Sequence, residues 1–304
     1  MKQLFYQDLM QKLPDLHVLV DEPLKNHTTF RIGGAADYLI TPSEEQLPAV
    51  LAIAKEHELP VTVIGNGSNL LVSDRGVRGV VLEIAKSMSG VTVDGNYIDA
   101  QAGALLAKVA GAAAEHGLSG LEFAAGIPGS MGGAVVMNAG AYGGEMKDVL
   151  VFVKVLTAEG DILTIPAEEM DLSYRHSCVQ EKGYIVLGAR MLLHPAPETQ
   201  IRAQMAELRE KRIEKQPLEY ASAGSTFKRP EGYFAGKLIM DAGLRGYRVG
   251  DAQVSEKHCG FVINRGNATA AEVMQLVHDV QQKVYEQFQV RLEPEIKKIG
   301  EWEL

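Results

Sequence analysis

The amino-acid sequence predicts an α+β protein built from two or three domains. Strand and helix signals alternate in the first third of the chain, antiparallel strand pairs dominate the middle third, and a charged helix near residue 198 begins a third pattern. The length of 304 residues, of which 46% are hydrophobic, is enough to bury more than one core. We therefore expect domains at residues 1–85, 86–197 and 198–304.

The first domain is predicted from an alternation of strand and helix. An extended stretch runs to Ile40, and Ser43 with Gln46 three residues later forms a capping box, which predicts a helix start. The β-branched run at 60–64 predicts a short buried strand. A loop with two glycines follows, and the apolar residues 71–72 continue as a second strand-like segment.

The middle domain is predicted from two hairpins. Residues 91–98 are typical of one hairpin, and residues 149–156 with 162–165 are typical of another. Between them, a helix of small residues over 104–116 is closed by Gly117. Antiparallel pairs with a helix indicate an α+β domain distinct from the first.

Two helices define the C-terminal domain. A charged helix is predicted over 199–215 and is terminated by Pro217. Thr269 and Glu272 form a second capping box that opens a further helix. The apolar face of that helix predicts a buried stripe, which is formed by Val273, Leu276, Val277, Val280, Val284 and Phe288.

Composition excludes several classes of function. A formal net charge of −9 argues against nucleic-acid binding, which needs a surplus of clustered cations. Cys178 and Cys259 lack the paired spacing of a zinc site or a disulfide framework, so we expect no metal and a reducing compartment. The N-terminus has no apolar signal core and no membrane-length apolar run occurs, so a cytoplasmic protein without membrane insertion is expected.

The most unusual stretch is 126–144, where seven of nineteen residues are glycine. Glycine is concentrated where the backbone approaches a ligand closely or takes positive φ, and bare backbone amides bind phosphate groups. A mobile linker is the alternative, but linkers are polar and this stretch interleaves its glycines with Ile127, Met131 and Val135. The stretch therefore predicts a ligand-binding loop.

The loop at 65–69 half-matches the dinucleotide fingerprint G-x-G-x-x-G. Leu70 replaces the third glycine, and the residues that follow are strand-like and do not open a helix. A Rossmann site is therefore not expected.

Three polar residues in loops suit one chemical task, which is to place a proton on carbon while charge builds on a neighbouring carboxylate. Arg175 offers a permanently charged donor fork, and Ser225 can protonate a carbanion-like centre. Glu295 can share in stabilising an enolic form if burial holds its carboxyl group protonated. Each residue alone is also compatible with a structural role. His176 is a possible base, and Ser225 lacks the strand-elbow-helix context of a hydrolase nucleophile.

Five ordered motifs resemble those of the UDP-N-acetylenolpyruvoylglucosamine reductase family, over residues 25–300. The motifs lie at 26–34, 65–71, 126–133, 173–175 and 224–228. The resemblance implies a three-domain flavoprotein of the vanillyl-alcohol-oxidase-like type. Its first two domains would be FAD-binding subdomains, and the third would be a C-terminal α+β substrate domain.

The resemblance also implies the site residues. Arg175, Ser225 and Glu295 match the family's catalytic positions, with Ser225 as the acid. FAD, bound non-covalently, would contact Ile64, Gly65, Asn66, Gly67, Ser68, Asn69, Leu70, Gly126, Ile127, Pro128, Ser130, Gly132, Gly133, Asn138, Ala139 and Gly140. The nucleotide-sugar substrate would contact Tyr142, Arg212, Lys215, Lys228, Gln253, His258 and Asn264.

The reaction that the resemblance implies has two stages. NADPH reduces FAD, and the enolpyruvyl nucleotide sugar then takes the hydride and a proton to give UDP-N-acetylmuramate for peptidoglycan. The sequence itself does not separate NADPH from NADH, and a monomer is assumed. Arg229 stands where some family members have asparagine, and the few residues between Cys178 and Tyr184 indicate the shorter subtype, which lacks a substrate-covering insertion.

Two rival functions stay open at this point. One is an oxidase of the same flavoprotein group, although many of those tether their flavin through a histidine that residues 65–74 lack. The other is a nucleotide-sugar or flavin-binding module without catalysis, against which the joint presence of Ser225, Arg175 and Glu295 argues.

Overall fold

Seven α-helices form within residues 2–302, the part of the chain that the computed structural model describes. None of these helices is long and apolar enough to cross a membrane. The helices are α1 Lys2–Lys12, α2 Leu47–Glu56, α3 Leu106–Glu115, α4 Met131–Val136, α5 Glu198–Lys215, α6 Ala235–Asp241 and α7 Ala270–Phe288.

Nineteen strands, many of them short, form within the same range. In chain order they are β1 His17–Pro23, β2 Ala35–Thr41, β3 Val61–Ile64, β4 Leu70–Val72, β5 Val77–Glu83, β6 Val91–Asp94, β7 Tyr97–Gln101, β8 Leu118–Ser119, β9 Gly140–Ala141, β10 Gly144–Glu145, β11 Leu150–Leu156, β12 Ile162–Pro166, β13 Ile185–Leu192, β14 His194–Pro195, β15 Ala221–Ser225, β16 Arg248–Val249, β17 Ala252–Val254, β18 Phe261–Asn264 and β19 Lys297–Ile299.

The chain divides into two compact units. Unit 1 is formed by the chain up to Leu19, by Tyr38–Asn66 and by Gly79–Arg212, and unit 2 by the remaining segments. The predicted domain boundaries at residues 85 and 197 both fall inside the segment Gly79–Arg212 of unit 1. The three-domain division therefore stays a prediction.

Unit 1 is organised around an antiparallel sheet of five strands in the order β12-β11-β13-β7-β6. Within unit 1, strand β3 also pairs in parallel with β5, from Val61 opposite Val80 to Ile64 opposite Glu83. The core of unit 1 buries the apolar faces of α2, α3 and α4 against the strands. Burying these apolar surfaces is the main favourable contribution to folding.

Unit 2 has its own core, built on the antiparallel sheet β15-β18-β17-β16 and on α7. The predicted stripe of α7 is confirmed, since Val273, Leu276 and Val280 are fully buried. A separate parallel pair joins β4 to β19, with Leu70 opposite Lys297.

The N-terminus of α7 is capped from two directions. The predicted capping box is present, with Glu272 N donating to Thr269 Oγ1 at 3.1 Å and Thr269 N donating to Glu272 Oε2 at 3.0 Å. The Asp74 carboxylate accepts hydrogen bonds from Ala270 N at 2.8 Å and Ala271 N at 2.9 Å. Backbone donors that have no partner inside the helix are thereby satisfied.

Most predicted elements are confirmed, including the hairpins at 91–98 and 149–165, the helix closed by Gly117 and the charged helix before Pro217. The strand predicted at 60–64 is present as β3, but its predicted burial is wrong, because Val61 and Val63 are 37% and 43% exposed. The predicted helix start at Ser43 is wrong by one turn, because residues 44–46 form a turn and α2 begins at Leu47. Gln46 is the N-cap, and its side chain accepts a hydrogen bond from Ser43 N at 2.9 Å.

Glu295 precedes strand β19, which begins only at Lys297. Pro294 forms an isolated bridge with Phe227 and lacks the N–H that a longer strand would need.

Candidate active site

The two predicted glycine loops meet in unit 1. The first loop leaves the buried end of β3 at Ile64, and the second precedes α4. The Asn66 side chain donates a hydrogen bond from Nδ2 to the Pro128 carbonyl oxygen at 2.7 Å. This bond fixes the backbone of residues 65–66 beside that of residues 126–130, as a shared binding site requires.

A buried hydroxyl without a partner lies where the loops meet. Ser130 is 3% exposed, and among the described residues its Oγ has no hydrogen-bond partner. Gly65 faces this oxygen so closely that a Cβ at position 65 would overlap it, and a Cβ at Gly133 would lie 3.7 Å from the same oxygen. An unsatisfied buried hydroxyl costs about 1–3 kcal/mol. A phosphate oxygen that accepts its proton would remove this cost, so these residues fit the pyrophosphate of FAD.

The rest of the glycine-rich stretch is more ordered than a loop. Its middle forms helix α4, and Gly132 packs against Ala102, where an added Cβ would lie 3.1 Å from the alanine Cβ. Ala139 precedes the short hairpin of β9 and β10, which contains Gly140. Tyr142, at the tip of this hairpin, is 48% exposed. Part of the glycine content therefore serves close packing.

Arg175 occupies a tight turn in unit 1. Ser173 and His176 exchange backbone hydrogen bonds of 3.2 and 3.1 Å, which leaves Tyr174 and Arg175 as the two central residues. Arg175 has a φ of +57°, and its guanidinium carbon lies 5.0 Å from the centre of the Tyr174 ring. Such a φ in a residue other than glycine costs about 1–3 kcal/mol, and strain of this kind is found mainly at functional sites.

His176 lies beside two carboxylates. Its Nε2 lies 3.0 Å from the exposed carboxylate of Asp171 and 4.0 Å from Glu181. The imidazole therefore belongs to a surface cluster of charges beside the turn.

Arg212 lies on α5, at the C-terminal limit of unit 1. It packs beside Gly126, where an added Cβ would lie 3.2 Å from the Arg212 Nη1. Burial lowers the pKa of the Arg212 guanidinium below its ordinary value, and the nearby Tyr142 partly offsets that effect. A desolvated cation is stabilised by an anionic ligand, so Arg212 suits a phosphate or carboxylate.

In unit 2, the first glycine loop continues toward Glu295. Gly67 is closed on one face by the backbone of His27 and Thr28, and Ser68 is half-buried. The Asn69 Nδ2 donates to the Glu295 carbonyl oxygen at 3.3 Å. Leu70 then begins β4. The loop and the Glu295 segment are therefore adjacent.

Ser225 ends strand β15 at an irregularity in the sheet. The register with β18 shifts between Ser222 and Ser225, and Gly224 takes a φ of +76° within that shift. No atom lies within 4 Å of the position a Gly224 Cβ would take, so glycine is required there for its conformation. The bulge changes the direction of the half-buried Ser225 side chain at the end of the strand.

Glu295 lies beside the serine segment and is 8% exposed. Its backbone N–H donates to the Thr226 carbonyl oxygen at 2.8 Å. Lys228 N donates to the Glu293 carbonyl oxygen at 2.8 Å, and the Lys228 Nζ is 3.2 Å from Glu293 Oε2. Unit 2 thus brings together Ser225, Lys228 and Glu295 by backbone pairing of two segments.

Two other predicted substrate residues of unit 2, Asn264 and Gln253, form hydrogen bonds within the protein. Asn264 is buried, with Nδ2 donating to the Phe30 carbonyl oxygen and Oδ1 accepting from Gly266 N and Ala268 N. Gln253 is also buried and donates to the Gly246 carbonyl oxygen at 3.1 Å. These bonds favour structural roles for both amides, and their substrate contacts stay predictions.

His258 and Lys215 are more accessible. The His258 Nδ1 accepts from Gly260 N at 3.2 Å, its ring packs on Phe261, and burial lowers its pKa. His258 therefore favours the neutral form with the Nε2 proton free to donate. Lys215 is exposed at the end of α5.

The motif at 26–34 lines a cavity of about 620 Å³ in unit 2, together with Asp74 and residues 266–268. None of the predicted site residues lines this cavity. The motif also contains tight packing, because a Cβ at Gly33 would lie 2.6 Å from the Val72 Cβ. Within unit 2 this motif therefore serves packing beside the cavity.

Sequence reasoning missed the side-chain hydrogen bonds of two asparagines to distant parts of the chain. Asn66 and Asn138 are both predicted FAD contacts, yet their side chains bond to the protein, at Pro128 and at Ser173 and Glu145 respectively. A positive φ at asparagine, 39° for Asn138, marks such positions but is not visible in a sequence.

Comparison with known proteins agrees with this geometry. Residues 36–166 match the family model of an FAD binding domain, which makes the chain an FAD-binding flavoprotein. Residues 216–299 match the model of the C-terminal domain of UDP-N-acetylenolpyruvoylglucosamine reductase. The chain belongs to the UDP-N-acetylenolpyruvoylglucosamine reductase family.

Relatives support this over nearly the whole chain. The UDP-N-acetylenolpyruvoylglucosamine reductase of Agathobacter rectalis is 62% identical over 314 residues, covering 99% of this chain and 100% of its own length. That of Lachnoclostridium phytofermentans is 54% identical over 306 residues, covering 99% of each chain. The crystal structure of the reductase from Thermus caldophilus has a TM-score of 0.80 at 39% identity, covering 93% of this chain and 98% of that one.

The comparisons confirm the predicted family, the α+β flavoprotein fold and the enzyme class. They favour a reductase over the oxidase and the non-catalytic module. The roles of the individual site residues stay predictions.

Proposed function

We propose that Arg175, Ser225 and Glu295 carry the protonation step of an FAD-dependent UDP-N-acetylmuramate dehydrogenase. The enzyme is an FAD-dependent oxidoreductase that uses NADPH and acts on a nucleotide sugar in peptidoglycan synthesis. When bound, FAD would supply the redox chemistry, which is transfer of a hydride from NADPH to the vinyl carbon of UDP-N-acetylglucosamine enolpyruvate. The protein's own residues must hold FAD and deliver the remaining proton.

Ser130 and the backbone of residues 65–66 and 126–130 would hold the FAD pyrophosphate. The unsatisfied Ser130 Oγ and the close approach of Gly65 support this assignment. Gly133, exposed beside Ser130, leaves room on the same face. A buried hydroxyl bound to an ionised phosphate contributes more than a bond between neutral groups.

Ser225 is the proposed proton donor. Hydride addition to the vinyl carbon leaves an electron pair on the adjacent carbon, which bears the carboxylate. The Ser225 Oγ–H bond breaks, the proton bonds to that carbon, and the serine oxygen recovers a proton from water. A carbanion-like centre is basic enough to take a proton from a hydroxyl, and such donation contributes about 10²–10⁴-fold.

Arg175 and Glu295 would act on the charge that this step develops. The planar guanidinium of Arg175 matches a carboxylate or enolate with two parallel donors. The observation that carries the proposal is the backbone pairing in unit 2, from Glu295 N to the Thr226 carbonyl oxygen at 2.8 Å, which places Glu295 beside the Ser225 segment.

Arg212, Lys215 and Lys228 are the proposed anchors for the anionic groups of the nucleotide sugar, with Tyr142, Gln253, His258 and Asn264 as further contacts. Arg212 has the strongest support, because its guanidinium is desolvated. We also place the enzyme in the cytoplasm. The two cysteines are free and buried, which is consistent with a reducing compartment.

The test separates the two half-reactions of Ser225→Ala under anaerobic conditions. We expect flavin bleaching by NADPH to stay within about twofold of wild type, and recolouring by the enolpyruvyl sugar to slow by about 100-fold or more. Ser222→Ala is the matched control, because it makes the same change on the same strand, and both rates should be unchanged. If Ser225→Ala slowed flavin bleaching and recolouring equally, the serine would not be the proton donor.

A further inference from the structure

Asn138 is a hub of buried hydrogen bonds in unit 1, next to the turn that contains Arg175. It is 1% exposed, and its Nδ2 donates to the Glu145 Oε2 at 2.8 Å and to the Ser173 carbonyl oxygen at 3.2 Å. Its Oδ1 accepts from the Lys147 backbone N–H at 2.9 Å. Both amide protons are therefore used within the protein.

The carboxylate in this hub is itself fixed. While the Glu145 Oε2 accepts from Asn138, its Oε1 lies 2.6 Å from the Lys147 ammonium. The Glu145 carboxylate raises the pKa of Lys147 above its ordinary value. The Glu145 backbone N–H also donates to Asp148 Oδ2 at 2.9 Å. Asn138 thus connects the turn to a rigid acceptor.

The accepting carbonyl belongs to the first residue of the turn. Ser173 O also accepts the His176 backbone N–H at 3.1 Å, the hydrogen bond that closes the turn. Arg175, two residues beyond Ser173, holds a φ of +57°, which a flexible segment would not maintain. The neighbouring Ser177 hydroxyl is anchored separately, to the Val136 carbonyl oxygen at 2.9 Å.

We propose that Asn138, through the Ser173 carbonyl oxygen, holds the turn that presents Arg175 and is a positioning residue for carboxylate stabilisation. This inference rests on the proposed function of Arg175. It assigns to Asn138 a role in the second half-reaction only, in place of the predicted FAD contact.

Two variants test the inference. Asn138→Asp keeps the Oδ1 acceptor but loses the donor and places a second carboxylate beside Glu145. Asn138→Gly loses the side chain and accepts the φ of 39° without strain. For both we expect an unchanged flavin spectrum and FAD content, NADPH bleaching within about twofold of wild type, and recolouring slowed by about 10- to 100-fold, since small misplacements of a binding group cost up to 10²-fold.

The matched control is Ser177→Ala, which removes a buried hydrogen bond from the same segment without touching the turn. We expect both its half-reactions to stay within about twofold of wild type. Equal slowing of recolouring by Ser177→Ala and Asn138→Gly would overturn the inference, because general loosening would then explain both.

A double-variant cycle with Arg175→Gln completes the test. If Asn138 acts through Arg175, adding Asn138→Gly to Arg175→Gln should slow recolouring by less than about twofold more. Fully additive slowing, or wild-type recolouring by both Asn138 variants, would overturn the inference while leaving the function of Arg175 intact. Wild-type recolouring by Arg175→Gln alone would instead overturn the proposed function and the inference with it.

Discussion

The contact between Gly65 and Ser130 gives the most direct test of the FAD site. In Gly65→Ala, the added Cβ overlaps the Ser130 Oγ, whereas the Ser130 Cβ would lie at 3.6 Å, an ordinary contact. The clash is therefore with one oxygen, and either that hydroxyl or the loop must move. Overpacking of this kind costs about 1–3 kcal/mol, which corresponds to a Kd for FAD about 5- to 150-fold weaker.

The assay is titration of the apoprotein with FAD, followed by quenching of flavin fluorescence. Ser130→Ala is the second variant of a double-mutant cycle, because it removes the oxygen that the added Cβ of Gly65→Ala would overlap. Ser130→Ala alone should weaken FAD binding by about 10- to 150-fold, the worth of a hydrogen bond to a charged group at about 1.5–3 kcal/mol. In the Ser130→Ala background, Gly65→Ala should add less than about twofold.

Two results would refute this reasoning. One is FAD binding of wild-type strength by Gly65→Ala, which would show that the loop tolerates the added methyl group. The other is full additivity of the two substitutions, which would show that the Ser130 hydroxyl is not the atom in conflict.

Two further predictions concern the stability of unit 2. Asp74→Ala removes both carboxylate bonds to the N-terminus of α7 and should lower the free energy of unfolding by about 1 kcal/mol, with Asp74→Asn intermediate, as measured by urea unfolding. Tyr247→Phe removes the 2.6 Å hydrogen bond from the tyrosine hydroxyl to Asp279 Oδ2 and should cost about 0.5–1 kcal/mol at pH 7, because the pair is partly solvated. That hydrogen bond lowers the pKa of Asp279 below 3.8 and raises the pKa of Tyr247 above 10.0. The free energy that the bond contributes to folding is therefore lost as pH falls through the lowered pKa of Asp279, and also as pH rises through the raised pKa of Tyr247. Unfolding of wild type and Tyr247→Phe should therefore differ most between these limits, and a difference independent of pH would contradict the assignment.

The elements that the sequence predicts well are those with strong local patterns. The stripe and capping box of α7 fix that helix, and the Asp94 to Tyr97 turn fixes the hairpin of β6 and β7. By contrast, α1 buries only Phe5 and Leu9 among the described side chains of its sequence, a pattern too sparse to indicate a helix. Helix α4 is hidden by its glycines, because its packing against Ala102 is a tertiary contact.

In the candidate site, too, some features can be predicted from the sequence and others depend on tertiary contacts. Arg175, Ser225 and Glu295 are predictable as residue types suited to one reaction, and family resemblance selects them. The conformations that place them are not predictable, because the φ of +57° at Arg175 and the bulge before Ser225 depend on hydrogen bonds between segments distant in sequence. The backbone bond from Glu295 to Thr226, 69 residues earlier, is of the same kind.

The central claim is that one bound FAD is reduced by NADPH and reoxidised by the enolpyruvyl sugar, and anaerobic spectroscopy of the purified wild-type protein tests it directly. We expect a yellow protein that NADPH bleaches, full return of colour on adding the enolpyruvyl sugar without oxygen, and a product heavier than that sugar by two hydrogens. Colour that returns only when oxygen is admitted would show that the enolpyruvyl sugar does not reoxidise the flavin.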